Sequence, residues 1–283
     1  MLDATSTRTF AGATLKTTIF LERRLRAHVI ERDRLTFDSS LAPPAKKDRT
    51  EFVHLYATLE GAFATGGATV EGPQLWALAE TEFDRVQRSS QTFRSWGAPC
   101  RVVEIRFHAR DVRAKVGLAR GPIALPSATW DAYLAFAAGG PLVPLVAALA
   151  KAGAIADLAG TIVEDEPEHF ARLWQTLRPL YAQTATSASL KQISVLAQLS
   201  LRQLGRDLGD LTRTFGLFGA GFRDAMRVLR LRAAVLLLSA PHATPTEVAR
   251  EVGYGSLDAM ARAFRDAKLP APSVVRDAVR FPI

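Results

Sequence analysis

Residues 246–276, TEVAREVGYGSLDAMARAFRDAKLPAPSVVR, carry two helical periods separated by a glycine turn and closed by prolines. Val248, Ala249 and Val252 place apolar groups at i, i+1 and i+4 of a first helix, and the small Ala249 lets a second helix cross closely. Gly253 is where that helix stops, because glycine enters the left-handed region without steric cost. Tyr254 follows as an apolar plug, and Ser256 is a good N-cap for what comes next. From Leu257 onward, Ala259 or Met260, Ala263, Phe264 and Ala267 recur in steps of three and four, so they share one buried face. Asp258, Arg262, Arg265 and Asp266 take the opposite face. Pro270 and Pro272 then end the helix. Two short helices across a tight turn are the plan of a helix-turn-helix, whose second helix enters the major groove of DNA.

The same residues resemble the C-terminal helix-turn-helix of AraC/XylS-type transcription regulators. Val248-Ala249, Gly253-Tyr254, Ser256, Met260, Ala261-Arg262-Ala263-Phe264-Arg265, Pro272 and Arg276 fall on that family's pattern without a gap. Leu269 stands where the family has glycine, and Val275 where it has tyrosine. The resemblance implies double-stranded DNA as a partner, a small-molecule effector, contact with RNA polymerase, and a homodimer. Within the reading helix, Ser256, Leu257, Asp258 and Arg262 are the candidate DNA-facing residues. Arg262 can pair with guanine or grip a phosphate, Asp258 can accept from a cytosine amino group, and Leu257 can touch a thymine methyl. Arg265, Lys268, Arg276 and Arg250 are candidates for the phosphate backbone. The plainer reading of Arg262 is an i, i+4 pair with Asp258, worth ~0.3 kcal/mol on an exposed helix.

The family carries a second, earlier unit joined through a long helix, and Arg230-Leu231, Ala234 and Leu237-Leu238 match that helix. Upstream, two registers fit the earlier unit. In one, SLRQLGRDL (200–208) supplies the reading helix; in the other, Leu211-Thr212-Arg213-Thr214-Phe215 does. The distance from Phe215 to Arg230 favours the second, which makes Arg213 the DNA contact of the first unit. That register puts Leu208, Gly209 and Asp210 where a strong reader presents polar groups, so the first unit reads as weak.

Charge supports this picture. The chain of 283 residues has a formal net charge of +8, with 36 Lys+Arg against 28 Asp+Glu. Residues 187–283 hold 14 of the basic and 8 of the acidic groups, a surplus of six; the first 186 residues hold 22 and 20. Arginine suits bidentate recognition of phosphates and guanine edges, although an arginine- and alanine-rich composition bias alone would also raise it. With 48% hydrophobic residues the chain reads as two domains with real cores. The lone Cys100 excludes an intrachain disulfide framework and fits a reducing cytosol. The polar start shows no signal peptide, and the apolar run 142–158 is interrupted by Pro144, Lys151, Gly153 and Asp157, so a cytoplasmic protein without membrane spans is expected.

The N-terminal part reads as strands. Residues 15–25 fit a strand edge or a short amphipathic helix, and 42–48 a proline-containing loop. Residues 52–59, 74–79, 91–96 and 101–107 are short apolar runs separated by glycine and proline turns, the layout of a small antiparallel barrel or jelly roll. Alternation in 101–107 turns Val103, Ile105 and Phe107 inward and Val102, Glu104 and Arg106 outward. The layout weakly resembles the cupin-like barrel of AraC/XylS regulators. Tyr56, Trp76, Phe93 and Trp96 are candidate walls of an effector pocket, or simply core. The five histidines lack a His-x-His pair, so no metal, cofactor or catalytic residue is assigned.

Residues 127–186 read as helices, with Ser127 as a cap and Phe170, Leu173, Trp174, Leu177, Leu180 and Tyr181 forming an apolar stripe that packs within its own domain or serves as a dimer face. The polar stretch 183–189 separates it from the reader. The expected organisation is an α+β chain: a cupin-like antiparallel β-barrel domain (1–126), a helical connector (127–186) and an all-α double helix-turn-helix domain (187–283). The function expected is a sequence-specific DNA-binding regulator and not an enzyme. Two rivals stay open: an interaction protein with a degenerate reader, and a cupin-type enzyme with a helical appendage.

Overall fold

The computed structural model describes residues 1–23, 25–41, 52–65, 68–79, 94–95, 99–117, 122–158, 166–183, 189–217 and 222–280. Among the described residues the N-terminal half holds ten strands: β1 (Leu2–Phe10), β2 (Ala13–Glu22), β3 (Leu25–Asp33), β4 (Phe37–Asp38), β5 (Phe52–Glu60), β6 (Ala62–Thr65), β7 (Ala68–Glu71), β8 (Gln74–Ala79), β9 (Arg94–Ser95) and β10 (Cys100–His108). All pair antiparallel, in one sheet of order β1-β2-β3-β10-β5-β8 and a second of order β4-β9-β6-β7. Both sheets have free edges among the described residues, so the domain is a pair of open antiparallel sheets in place of one closed barrel. Of residues 15–25, ambiguous in sequence, 15–22 and 25 are strand. Leu2–Phe10, polar in every second position, pairs with Ala13–Glu22 through Ala11 (φ 49) and Gly12 (φ 82), the doubly left-handed turn that matches strand twist.

Strand β10 lies between β3 and β5 and organises the core. Val103, Ile105 and Phe107 face inward as the alternation predicts, against Leu55, Leu75, Ala27 and Val29. The other face is not solvated. Val102 is packed with Tyr56, Trp76, Phe63 and Cys100 between the sheets, and Arg106 is buried against the helical half of the chain. A period-2 pattern identifies the apolar face; it does not reveal that a second layer covers the polar one.

The helices divide among three buried clusters. After the short α1 (Ala114–Gly117), α2 (Ser127–Ala137) and α3 (Leu142–Lys151) place Tyr133, Phe136, Leu142, Leu145 and Leu149 on the sheet. Helix α2 starts one residue earlier than its serine suggests: Pro126 is the N-cap, and no side chain caps the helix. Helix α4 (Glu168–Ala182) turns Phe170, Leu173, Trp174, Leu177 and Leu180 toward Ala4, Ile19 and Leu21 of the sheet and toward the first reading helix. Trp174 donates Nε1–H to the Asp3 carbonyl at 2.9 Å. Full burial of one such side chain contributes roughly 1.5–3 kcal/mol. The stripe considered as a dimer face is therefore covered within one chain. No helix among the described residues is long and apolar enough to cross a membrane.

Candidate nucleic-acid interface

Two units of the same build occupy the C-terminal third. Each begins with a seven-residue helix under a capping box. Ser189 caps α5 (Leu190–Leu196) and receives Gln192 on its own amide at 2.7 Å; Thr244 caps α8 (Pro245–Glu251) and receives Glu247 at 3.2 Å. The hydrogen bonds from Thr244 hold the Glu247 carboxyl below its usual value. Each first helix is followed by a left-handed residue, Gln198 (φ 55) or Gly253 (φ 85). Each second helix starts at a serine. Ser200 accepts from the Gln203 amide at 3.1 Å to begin α6 (Leu201–Phe215), and Ser256 accepts from the Ala259 amide at 3.1 Å to begin α9 (Leu257–Asp266). Helix α7 (Phe222–Leu237) joins the units, and α10 (Pro272–Val279) closes the second.

Packing explains why the second unit is so legible. Val248, Ala249, Val252, Met260 and Phe264 are fully buried against Leu231, Ala234 and Leu237 of α7 and Val275 and Val279 of α10. Val275, standing for the family's tyrosine, is simply core. The left-handed residue after α9 is Lys268 (φ 58), one position before Leu269. On the outer face Ser256, Asp258, Arg262, Arg265 and Lys268 are exposed. Among the described residues, the side chains of Asp258, Arg262, Arg265 and Lys268 enter no ion pair or hydrogen bond, so the i, i+4 pair of Asp258 with Arg262 is not formed. Leu257 is half-buried and rests on the unit's own core. Arg276 is half-buried too, and its Nε and Nη2 donate to Asp277 at 3.0 and 2.9 Å.

The first unit corrects the register. Both candidate frames lie on the single helix α6, which Ser200 caps, so its first turns present Leu201, Arg202 and Arg206 to solvent. Arg213 sits in the last turn, paired with Asp210. The frame preferred on distance to Arg230 thus falls at the wrong end of the helix, because a reading helix offers its N-terminal residues to bases. The distance misled because α6 runs to 15 residues before stopping at Gly216 (φ 56). The helix start exposes Arg202 and Arg206 of the frame not preferred, and its local signal is Ser200, a cap three residues ahead of Gln203.

Behind α6 lies a buried ionic cluster that no linear spacing displays. Strands β3, β10 and β5 bring His28, Glu104 and His54 side by side. His54 Nδ1 lies 2.5 Å from Glu104 Oε1, His28 Nδ1 3.4 Å from Glu104 Oε2, and Arg26 Nη2 3.3 Å from Glu104 Oε1. Burial alone would raise the Glu104 carboxyl; the two imidazoles hold it well below the usual range, while burial pushes His28 down. Among the described residues, no group of three or more His, Cys, Asp or Glu is arranged to hold a metal ion. Arg26 and Arg106 both donate to the carbonyl of Gly216, the C-cap of α6, Arg26 at 2.7 Å. The sheet domain thereby grips the end of the first reading helix.

Tyr56 and Trp76 fill the space between the sheets, with Tyr56 edge-on to Phe63 at 5.9 Å and stacked with Phe37 at 6.2 Å. Phe93 and Trp96 lie outside the described residues, as do most of the strand read at 91–96, the loop at 42–48 and the linker around 184–188.

Residues 200–278 match a family model described as a helix-turn-helix domain. The C-terminal region is an AraC-type helix-turn-helix domain. The match opens at Ser200, the cap of α6, so this AraC-type domain includes the whole first reading helix. A search of curated proteins gives no match. Solved structures similar to this chain include a DNA-binding transcriptional dual regulator from Escherichia coli K-12, at 17% identity over 40% of this chain and 94% of that chain with a TM-score of 0.32. Another is ToxT from Vibrio cholerae with a bound unsaturated fatty acid, at 10% identity over 90% and 95% with a TM-score of 0.37. A third is the transcriptional regulator CdpR from Pseudomonas aeruginosa, at 17% identity over 64% and 47% with a TM-score of 0.31.

Proposed function

We propose that the protein is a transcription regulator that reads double-stranded DNA with α6 and α9, while the N-terminal sheet domain responds to a small molecule and sets the two units relative to each other. The observation that carries this reading is the repeated build of the C-terminal third: two capped helices, two serine-capped reading helices, and arginines exposed on the outer face of both. Arg202 and Arg206 serve the first unit and Arg262 the second, with Arg265, Lys268 and Arg250 on phosphates. Arg213 is assigned no base contact. The grip of Arg26 and Arg106 on Gly216 supports a coupling of the sheet domain to the reader. We read the chain as a binding protein and not an enzyme.

One observation favours a graded version of this function. The exposed side of α6 carries Gly205 next to Arg202 and Arg206, and its neighbours Val195 and Leu196 are exposed and apolar. Such a surface anchors more than it discriminates, so the second unit supplies most of the sequence preference.

The test is fluorescence-polarisation titration of the full chain against genomic DNA fragments at salt concentrations from about 50 to 200 mM. A sequence preference with a steep salt slope is the expected result. Flat, weak binding to every fragment would leave the degenerate-reader alternative standing instead.

A further inference from the structure

Helix α6 carries a carboxylate where its apolar period calls for a hydrocarbon. Leu204, Asp207, Leu211 and Phe215 form the buried stripe of the helix, and Asp207 is 2% exposed among them. A carboxylate without full pairing destabilises such a position. Its Oδ1 accepts from Gln203 Nε2 at 2.6 Å, one helical turn earlier, while Oδ2 has no hydrogen-bond partner among the described residues. Arg206 Nε stands 4.0 Å from the same Oδ1.

Gln203 joins this buried group to the outer face of the helix. Its backbone amide donates to the cap Ser200 at 3.1 Å, and its side-chain Oε1 accepts from Arg206 Nη2. Chemistry fixes the direction of the series. A carboxylate only accepts and a guanidinium only donates, so the Gln203 amide turns its NH2 to Asp207 and its oxygen to Arg206. The flipped amide would set oxygen against oxygen and NH2 against guanidinium. The Arg206 side chain is 68% exposed, and among the described residues its Nη1 enters no hydrogen bond. The second unit lacks this device. Arg262 stands six residues after the cap Ser256, as Arg206 does after Ser200, but Ala259 and Ala263 occupy the places of Gln203 and Asp207.

We propose that Asp207 is a positioning residue for base recognition: through Gln203 it holds the Arg206 guanidinium ready to meet a guanine edge from the first turns of α6. The inference rests on the reading of DNA by α6 proposed above and gives that anchoring unit one discriminated base pair. An arginine already held loses less rotamer freedom on binding, and immobilising such a side chain corresponds to about 2- to 12-fold in affinity. A fixed guanidinium also favours the base whose paired acceptors face it, whereas a mobile one settles equally well on a phosphate.

The probe is a duplex selected from a random library by the wild-type chain, with its single base-pair variants, titrated by fluorescence polarisation. Arg206→Ala loses discrimination at one base pair of the first half-site and so marks it. At that pair Asp207→Leu and Gln203→Met each lower discrimination about 2- to 12-fold, while the other pairs and the salt slope keep their wild-type values. Asp207→Asn, whose amide can present either end to Gln203, loses less than Asp207→Leu. Adding Asp207→Leu to Arg206→Ala changes nothing further, the non-additivity of groups in one network. Asp207→Leu keeps or raises the denaturation midpoint, because an apolar group then completes the stripe. Loss spread evenly over all base pairs, or additive losses in the double variant, gives Asp207 a structural role alone and overturns the inference. If Asp207→Leu does not fold, Gln203→Met on the half-buried Gln203, with and without Arg206→Ala, still decides it. Selection of no duplex by the wild-type chain removes the DNA-reading function and this inference with it. A selected duplex on which Arg206→Ala keeps full discrimination overturns the inference alone.

Discussion

Arg202→Ala and Arg213→Ala separate the two registers of the first unit, because the two side chains stand at opposite ends of one helix. Arg213 lies thirteen positions beyond the cap Ser200, which at ~1.5 Å per residue is ~20 Å along the axis. A side chain that far from the entering turn cannot share the base steps read by the first turn, given a groove about 12 Å wide. Arg202 is exposed, and among the described residues it has no ion pair or hydrogen-bond partner. Its loss therefore leaves folding within about 0.5 kcal/mol. If it reads a base, the loss costs about 1–3 kcal/mol of specific binding, roughly 5- to 150-fold. If it grips only a phosphate, binding weakens evenly across sequences and the salt slope falls by about one. Arg213 is 79% exposed and already paired with Asp210, so its removal changes DNA affinity by less than about 1 kcal/mol. Fluorescence polarisation on a cognate and a scrambled fragment, at several salt concentrations, reads all three quantities. An Arg213→Ala loss equal to or larger than that of Arg202→Ala refutes the register and returns the reading role to the end of α6.

Phe264→Ala, which empties the fully buried centre of the second unit, should lower unfolding free energy by about 3–5 kcal/mol in chemical denaturation; a loss under about 1 kcal/mol would show that the site refills. Gln198→Gly relieves a left-handed residue in the turn of the first unit and should raise stability by about 1 kcal/mol, seen as a higher denaturation midpoint at unchanged slope. The buried cluster makes stability depend on pH in one direction. His28 is held below its ordinary 6.5 and Glu104 well below 4.5, so each stabilises the fold above its unfolded value and loses that contribution as pH falls. Melting temperature should drop from about pH 7.5 to about pH 5.5 through His28 and further below about pH 4.5 through Glu104. In His28→Gln the upper part of that drop should shrink; an unchanged profile would remove His28 as its source.

Much of the reader was legible because its signals are local. A cap, a 3.6-residue apolar period, a glycine and a proline each act within a turn or two, and together they placed Ser256, Phe264 and the exposed Asp258 and Arg262 correctly. The strands at 52–59, 74–79 and 101–107 were visible for the same reason, as short apolar runs between glycine and proline turns, with period-2 alternation in 101–107. Two kinds of placement escaped. Arg202 and Arg206 were passed over because Leu204, Leu211 and Phe215 keep helical spacing through both frames, so periodicity could not say where α6 begins. Glu104 and Arg106 looked like the solvated face of a strand.

By itself, the sequence determined a C-terminal helix-turn-helix, a basic C-terminal third and an antiparallel sheet domain before it, since those follow from short-range sterics, capping and charge. Only the tertiary structure decided which turn of α6 faces outward, that the α4 stripe is covered by β1 and α6, and that Arg26 and Arg106 reach the carbonyl of Gly216 across 190 and 110 residues of chain. The physical reason is the same in each case. Whether a polar or apolar face meets water, a ligand or another layer depends on what packs against it, and that neighbour is set by contacts between segments far apart in sequence.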